Sequence, residues 1–209
     1  MLGVSSFLIV KDYYFERGIK MNRNPHYFWA VRLPDAVKEI IFEKFAELKE
    51  VFPFKRWVHQ DDYHITLSFL GSAEKQKLDI VVDFVEDAIK NETAIPLQIE
   101  GINTFGHKQS PRIFWASLQY EERLHQLQAV MAKQCKEAGF LLEDRKFNPH
   151  ITLARNWTGT EFKPEILQKY NPFSKEPLSF QAQEVVLYRT NLESTPKYES
   201  IATFSLVSE

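Results

Sequence analysis

A single cysteine, Cys135, stands among 209 residues, and one thiol cannot build an intramolecular disulfide framework. That fits a reducing compartment, and the cytoplasm is the expected location. Cys135 falls on the apolar face of a helical segment, where a buried structural thiol is expected over a reactive one. No apolar run approaches the roughly 18 residues of a membrane-spanning helix. Phe7 to Val10 is too short an apolar core for a signal peptide and has neither a basic start nor a cleavage site. The net charge of −2 lacks the basic excess of a protein that coats nucleic acid nonspecifically, although it leaves room for a local basic pocket. No Gly-rich phosphate loop and no dinucleotide fingerprint is present, so no cofactor is expected. Close-spaced clusters of His, Asp and Glu are missing too, so no metal is expected; Asp61-Asp62 reads as a loop before a strand.

What the chain does have is an internal repeat. His64-Ile65-Thr66-Leu67 recurs as His150-Ile151-Thr152-Leu153, and Phe28-Trp29-Ala30 as Phe114-Trp115-Ala116, both pairs 86 residues apart. Two copies at so long a period are no solenoid; they read as two related half-domains with one site at their seam. Residues 1–20 match nothing in the second half. They are expected to be an N-terminal extension foreign to the native protein, with Met21 the natural start and 21–209 a single bilobal domain.

Each half reads as strands alternating with helices. In the first, strands are expected at Tyr27 to Leu33, Tyr63 to Leu70 and Ile95 to Ile102. Helices are expected from Pro34-Asp35 to about Phe52 and from Lys75 to Ile89, the latter capped by Ser72. In the second, strands are expected at Arg112 to Leu118, His150 to Ala154, Val185 to Tyr188 and Ile201 to Leu206. Helices are expected at Glu121 to Ala138, stopped by Gly139, and Lys163 to Lys169. The fold class is α+β: two pseudo-symmetric lobes, each a small, mostly antiparallel sheet backed by helices, with a groove between them.

Alternate side chains of a strand share a face. His64 and Thr66 therefore point one way while Ile65 and Leu67 point to a core, and His150 and Thr152 repeat the arrangement. Two imidazoles and two hydroxyls facing one groove suit cleavage of a phosphodiester. Displacement at phosphorus needs a base on the attacking oxygen and an acid on the leaving one, and histidine can serve as either near neutral pH. The hydroxyls can donate to nonbridging oxygens. The Phe-Trp-Ala repeat reads as duplicated core strand. His26, His59, His107 and His125 have no such pairing and receive no role.

At these residues the chain resembles the two-histidine (2H) phosphoesterase superfamily. Arg56-Trp57-Val58 with His64-Ile65-Thr66-Leu67-Ser68-Phe69-Leu70-Gly71 is similar to the first motif of the RNA 2′,3′-cyclic phosphodiesterases, also called 2′-5′ RNA ligases. Phe147-Asn148-Pro149 with His150-Ile151-Thr152-Leu153-Ala154-Arg155 is similar to the second. Pro111-Arg112, Phe114-Trp115-Ala116, Leu187-Tyr188 and Tyr198 fall where that family has similar residues. The resemblance implies metal-independent hydrolysis of a 2′,3′-cyclic phosphate on RNA or a nucleotide to a 2′-phosphate, with reversible 2′-5′ RNA ligation in some relatives. It assigns His150 as the proton acceptor that activates water, His64 as the proton donor to the 3′ oxygen, and Thr66 and Thr152 as phosphate-binding residues. Arg155 and Phe69 are further substrate-contact candidates. Strict alternation turns both to the opposite face, so Arg155 needs a bulge or a strand end near Ala154 to reach the groove, with a surface or structural role its equal alternative, and core packing is favoured for Phe69. Tyr63, Trp57 and Arg112 are weaker candidates.

The expected partners are RNA ends or nucleotides bearing 2′,3′-cyclic phosphate, met by a monomer with no membrane association. Convergence of Lys55, Arg56, Lys108, Arg112, Arg145 and Lys146 on the groove favours an RNA end; their scatter favours a phosphodiesterase for a small cyclic phosphate. A noncatalytic RNA-end binding module and a metallohydrolase are the other readings.

Overall fold

The computed structural model describes residues 24–208; the expectations for residues 1–20 and for Met21 as the start lie outside them. Nine strands run β1 (Tyr27–Arg32), β2 (Phe54–Trp57), β3 (His64–Gly71), β4 (Ile95–His107), β5 (Ser110–Leu118), β6 (His150–Trp157), β7 (Leu178–Ala182), β8 (Glu184–Thr190) and β9 (Tyr198–Ser205). The helices are α1 (Asp35–Ala46), α2 (Lys75–Ile89), α3 (Glu122–Glu137) and the short α4 (Glu165–Lys169). The fold is α+β, and the named strands all pair antiparallel.

The two lobes are the sheets β3-β1-β8-β9 and β7-β4-β5-β6, with β2 added to β6. They join at β3 and β6 through the single pair Ile65↔Ile151, so one hydrogen-bonded network runs through the whole molecule. The halves of the sequence do not coincide with the lobes. β4, from the first half, pairs with β5 of the second lobe, while β8, from the second half, pairs with β1 of the first. The helices cross as well. Phe45 of α1 meets Phe114 of β5 edge-on at 5.7 Å, and Gln128 of α3 donates to the Leu67 carbonyl of β3 at 3.3 Å.

Amphipathic periodicity explains the helices. Val37, Ile41 and Phe45 of α1, Leu78, Val81, Val85 and Ile89 of α2, and Leu124, Leu127, Met131 and Cys135 of α3 are all buried at helical spacing. Cys135 is fully buried, as expected, and desolvation pushes its thiol up to about 12. Gly139 ends the run after α3 at φ 83°, a conformation that favours glycine. Ser72 is not the cap of α2: the N-cap position is Glu74, with no side-chain cap bond. Two short strands, β2 and β7, escape the hydrophobic pattern because they are sheet-edge pieces of four and five residues.

The second repeat is not structurally equivalent to the first. Across β1 and β3 the register pairs Val31 with Ile65; across β5 and β6 it pairs Ala116 with Ile151. The strand bearing Phe-Trp-Ala is thus offset by 85 residues in space while the histidine strand is offset by 86, and a one-residue slip exchanges the faces. In the first lobe Trp29 enters the main core while Phe28 and Ala30 lie on the other face; in the second, Phe114 and Ala116 enter the core. The expectation of a duplicated core strand holds for neither tripeptide as a whole.

Candidate active site

The seam places the two His-Ile-Thr segments side by side. Because β3 and β6 are antiparallel, the Ile65↔Ile151 pair sets His64 across from Thr152 and Thr66 across from His150. Ile65 and Ile151, both fully buried, anchor the segments from below. Period-2 alternation turns the imidazoles and hydroxyls to the opposite face.

Both rings are held in the same way. His64 Nδ1 lies 2.7 Å from the Asp62 carbonyl oxygen and His150 Nδ1 lies 2.8 Å from the Asn148 carbonyl oxygen. A carbonyl can only accept, so each Nδ1 carries the proton and each neutral ring keeps Nε2 as an acceptor. Nε2 of His64 is 3.1 Å from Thr66 Oγ1, which therefore donates to it. Burial lowers the pKa of His64 to about 4, with the neighbouring His150 and Arg155 adding to the fall. Burial also lowers the pKa of His150, and Arg155 adds to that shift. Two close imidazoles beside a guanidinium form a site poised for an anion.

The surroundings are aromatic and differ between the lobes. Around His64 stand Phe28 at 4.9 Å, Tyr198 at 5.1 Å and Tyr188 at 6.0 Å between ring centroids. Around His150 stand Phe105 at 5.0 Å and Trp115 at 5.6 Å. The register slip is what places Trp115 here; its buried indole N–H has no hydrogen-bond partner. Phe28 and Trp115 belong to the Phe-Trp-Ala repeat, which reads as core strand, and Trp115, Tyr188 and Tyr198 fall within the resemblance; only Phe105 of these rings has no signal in the sequence.

A bulge interrupts each histidine strand at the same place. The register skips Leu67 between Thr66 and Ser68, and Leu153 between Thr152 and Ala154. Each bulge adds one residue and reverses the alternation beyond it. Arg155 is returned to the histidine face, near enough to both rings to influence them, with its guanidinium close to the Tyr198 hydroxyl. Phe69 is returned likewise. The expectation of core packing for Phe69 is overturned: the ring is 51% exposed and meets His26 edge-on at 5.6 Å.

Other candidates lie elsewhere. Tyr63 is buried in the core, where desolvation pushes its hydroxyl up to about 12, and Trp57 packs against Phe45 and Phe114. Arg112 is exposed at the strand facing Gly106. Of the basic residues, Arg56 sits directly across from Arg155; Arg145 pairs with Glu143, and Lys55, Lys108 and Lys146 are exposed. Among the described residues no group of three or more His, Cys, Asp or Glu is placed to hold a metal, and no helix is long and apolar enough to cross a membrane.

Two lobes, each giving a His-x-Thr segment to a shared seam, define the two-histidine phosphoesterase class. The model of the 2′-5′ RNA ligase superfamily matches residues 33–193. The RNA 2′,3′-cyclic phosphodiesterase of Geobacillus stearothermophilus is 39% identical over 88% of this chain, which spans 58% of that protein's length. The enzyme of that name from Bacillus subtilis is 31% identical over 87% of this chain and 97% of its own. In fold, the crystal structure of Escherichia coli LigT complexed with 3′-AMP superposes with a TM-score of 0.71 at 24% identity, covering 87% of this chain and 98% of that one. The chain belongs to the 2′-5′ RNA ligase superfamily.

Proposed function

We propose that the protein is an RNA 2′,3′-cyclic phosphodiesterase that opens the cyclic phosphate to a 2′-phosphate by paired-histidine acid and base catalysis. The observation that carries this reading is the placement of His64 and His150 in equivalent backbone settings on either side of the Ile65–Ile151 pair. The names of the Geobacillus and Bacillus relatives agree with it.

His150 takes the proton of the attacking water. Its Nε2 has no hydrogen-bond partner among the described residues and is open to a water molecule. His64 gives a proton to the departing 3′ oxygen, and bound phosphate, an anion, raises its pKa toward the range where it can carry that proton. Thr66 and Thr152 face the nonbridging oxygens, and Arg155 offsets their charge. Phe69 offers an exposed ring for stacking a base. The 5′ hydroxyl of a second RNA in place of water gives a 2′-5′ bond with the same leaving group, which is the ligation reaction.

Arg56 beside Arg155 favours an RNA end over a small cyclic phosphate. We place the protein in the cytoplasm, in keeping with its one buried thiol, and take it to act as a monomer. The test is an RNA oligonucleotide ending in 2′,3′-cyclic phosphate, incubated in chelator, with the product end identified. A 2′-phosphate supports the reading; a 3′-phosphate or no turnover overturns it, and turnover of small cyclic phosphates alone moves the substrate.

A further inference from the structure

Beside His64, on the side away from the second lobe, a cavity of about 430 Å³ opens between β1, the start of α1, and β8 with β9. Arg32, which lies directly across from His64 in the β1–β3 register, lines it. So do Tyr188 and Tyr198, whose rings also touch His64. The cavity and the histidine thus share a wall. Its size falls within the range of pockets that hold small organic ligands.

Its two cations are already paired with acids, and Asp61 adds a further carboxylate. Arg32 Nη1 is bonded to Glu184 at 2.9 Å, and Lys38 Nζ to Asp35 at 2.9 Å. A phosphate entering here would have to break these pairs. A neutral, flat ligand rich in hydrogen-bonding groups would not: it could lie against the partly exposed Tyr198 ring, which is backed by buried Tyr188 at 6.2 Å between centroids, with Ser200 and Gln183 also lining the cavity.

The stereochemistry of the reaction selects the same ligand. In an in-line displacement the attacking water and the departing 3′ oxygen lie on opposite sides of phosphorus. The 3′ oxygen belongs to the terminal ribose, so that ribose and its base lie on the side of the acid. We infer that this cavity is the subsite for the terminal nucleoside of the substrate, taking its base against Tyr198 while the ribose passes His64. The inference rests on the phosphodiesterase reading and on His64 as the acid, and it deepens that reading: the reactive phosphate sits at the seam and the nucleoside sits in the first lobe.

Blocking the cavity tests it. Ser200 and Gln183 are exposed, so Ser200→Trp and Gln183→Trp fill it from two walls without entering the core. Adenosine 2′,3′-cyclic phosphate is compared with glycerol 1,2-cyclic phosphate, which has the five-membered cyclic diester without a nucleoside. Each variant is expected to raise KM for the adenosine substrate by roughly ten- to a hundredfold, the size of a lost base-stacking contact, and to leave kcat/KM for the glycerol substrate unchanged. Unchanged KM for the adenosine substrate in both variants overturns the subsite. Equal losses on both substrates, in variants whose circular dichroism and melting match the parent, also overturn it. If the parent protein opens neither substrate, the phosphodiesterase reading itself fails, a result separate from either of those.

Discussion

Asp62 and Tyr198, 136 positions apart in the chain, are joined by a hydrogen bond from the Tyr198 backbone N–H to the buried Asp62 carboxylate at 3.0 Å. The same carboxylate accepts the Lys197 N–H at 2.9 Å and 3.0 Å, while the Asp62 carbonyl accepts a hydrogen bond from His64 Nδ1. One residue thus sets the ring of His64 and the strand start that brings Tyr198 against it. Asp62→Ala leaves two backbone donors without their acceptor and is expected to cost about 1 to 3 kcal/mol of stability. It should also lower kcat with the remaining protein still folded. Denaturant unfolding and steady-state kinetics check this; unchanged values for both would remove Asp62 from the account.

Acid weakens the fold through His64. Its pKa is about 4 in the folded protein against an ordinary 6.5, so between those values the unfolded chain binds more protons. Stability contributed by the neutral ring is present above pH 6.5 and is lost as pH falls toward 4, a change of about 3 kcal/mol. Melting temperatures over pH 4 to 7 should show the fall, and replacing His64 with Gln should reduce it, leaving the part that His150 contributes.

The same shifts place the pH optimum. In the free enzyme both imidazoles titrate below their ordinary value, so the bell of kcat/KM should centre below pH 6.5. Bound phosphate raises the pKa of His64, so the limbs of kcat should lie at higher pH than those of kcat/KM. The two apparent values belong to the coupled pair of histidines. A kcat/KM bell centred above pH 7 would contradict this picture.

Thr66 donates to Nε2 of neutral His64. Thr66→Val removes that bond, which favours the uncharged ring, and should raise the lower apparent pKa while lowering kcat roughly ten- to a thousandfold through the lost phosphate contact. Thr152→Val should lower kcat without the same pKa change, because His150 Nδ1 is held by Asn148 alone. Full pH profiles of both variants distinguish the two effects.

Much of the site is legible in the sequence because its rule is local. Alternation along a strand suffices to put His64 with Thr66 and His150 with Thr152, and the repeat brings the two pairs together. The need for a break in alternation before Arg155 is legible too, since a five-residue spacing from His150 turns it from the groove; that the break is a bulge and not a strand end is seen only in the pairing. Phe69 shows where such reasoning fails: the same bulge occurs in both strands, yet a phenylalanine invites burial. The Phe-Trp-Ala repeat misleads for a related reason. Its two copies share an interval in the sequence but occupy registers that differ by one residue, and only the paired strand reveals it. The exchange of β4 and β8 between lobes is invisible locally, because each strand reads the same whichever sheet receives it. The cavity beside His64 is equally hidden, drawing Arg32, Glu184 and Tyr198 from distant parts of the chain.

The most direct test of the central claim is single-turnover opening of an RNA-terminal 2′,3′-cyclic phosphate by the parent protein, His64→Ala, His150→Ala and the double variant, all in chelator. The account predicts a 2′-phosphate from the parent, a loss of about 10²- to 10⁴-fold in each single variant, and a double variant little slower than either, because acid and base act as a unit. Parent-like turnover in either single variant would contradict it.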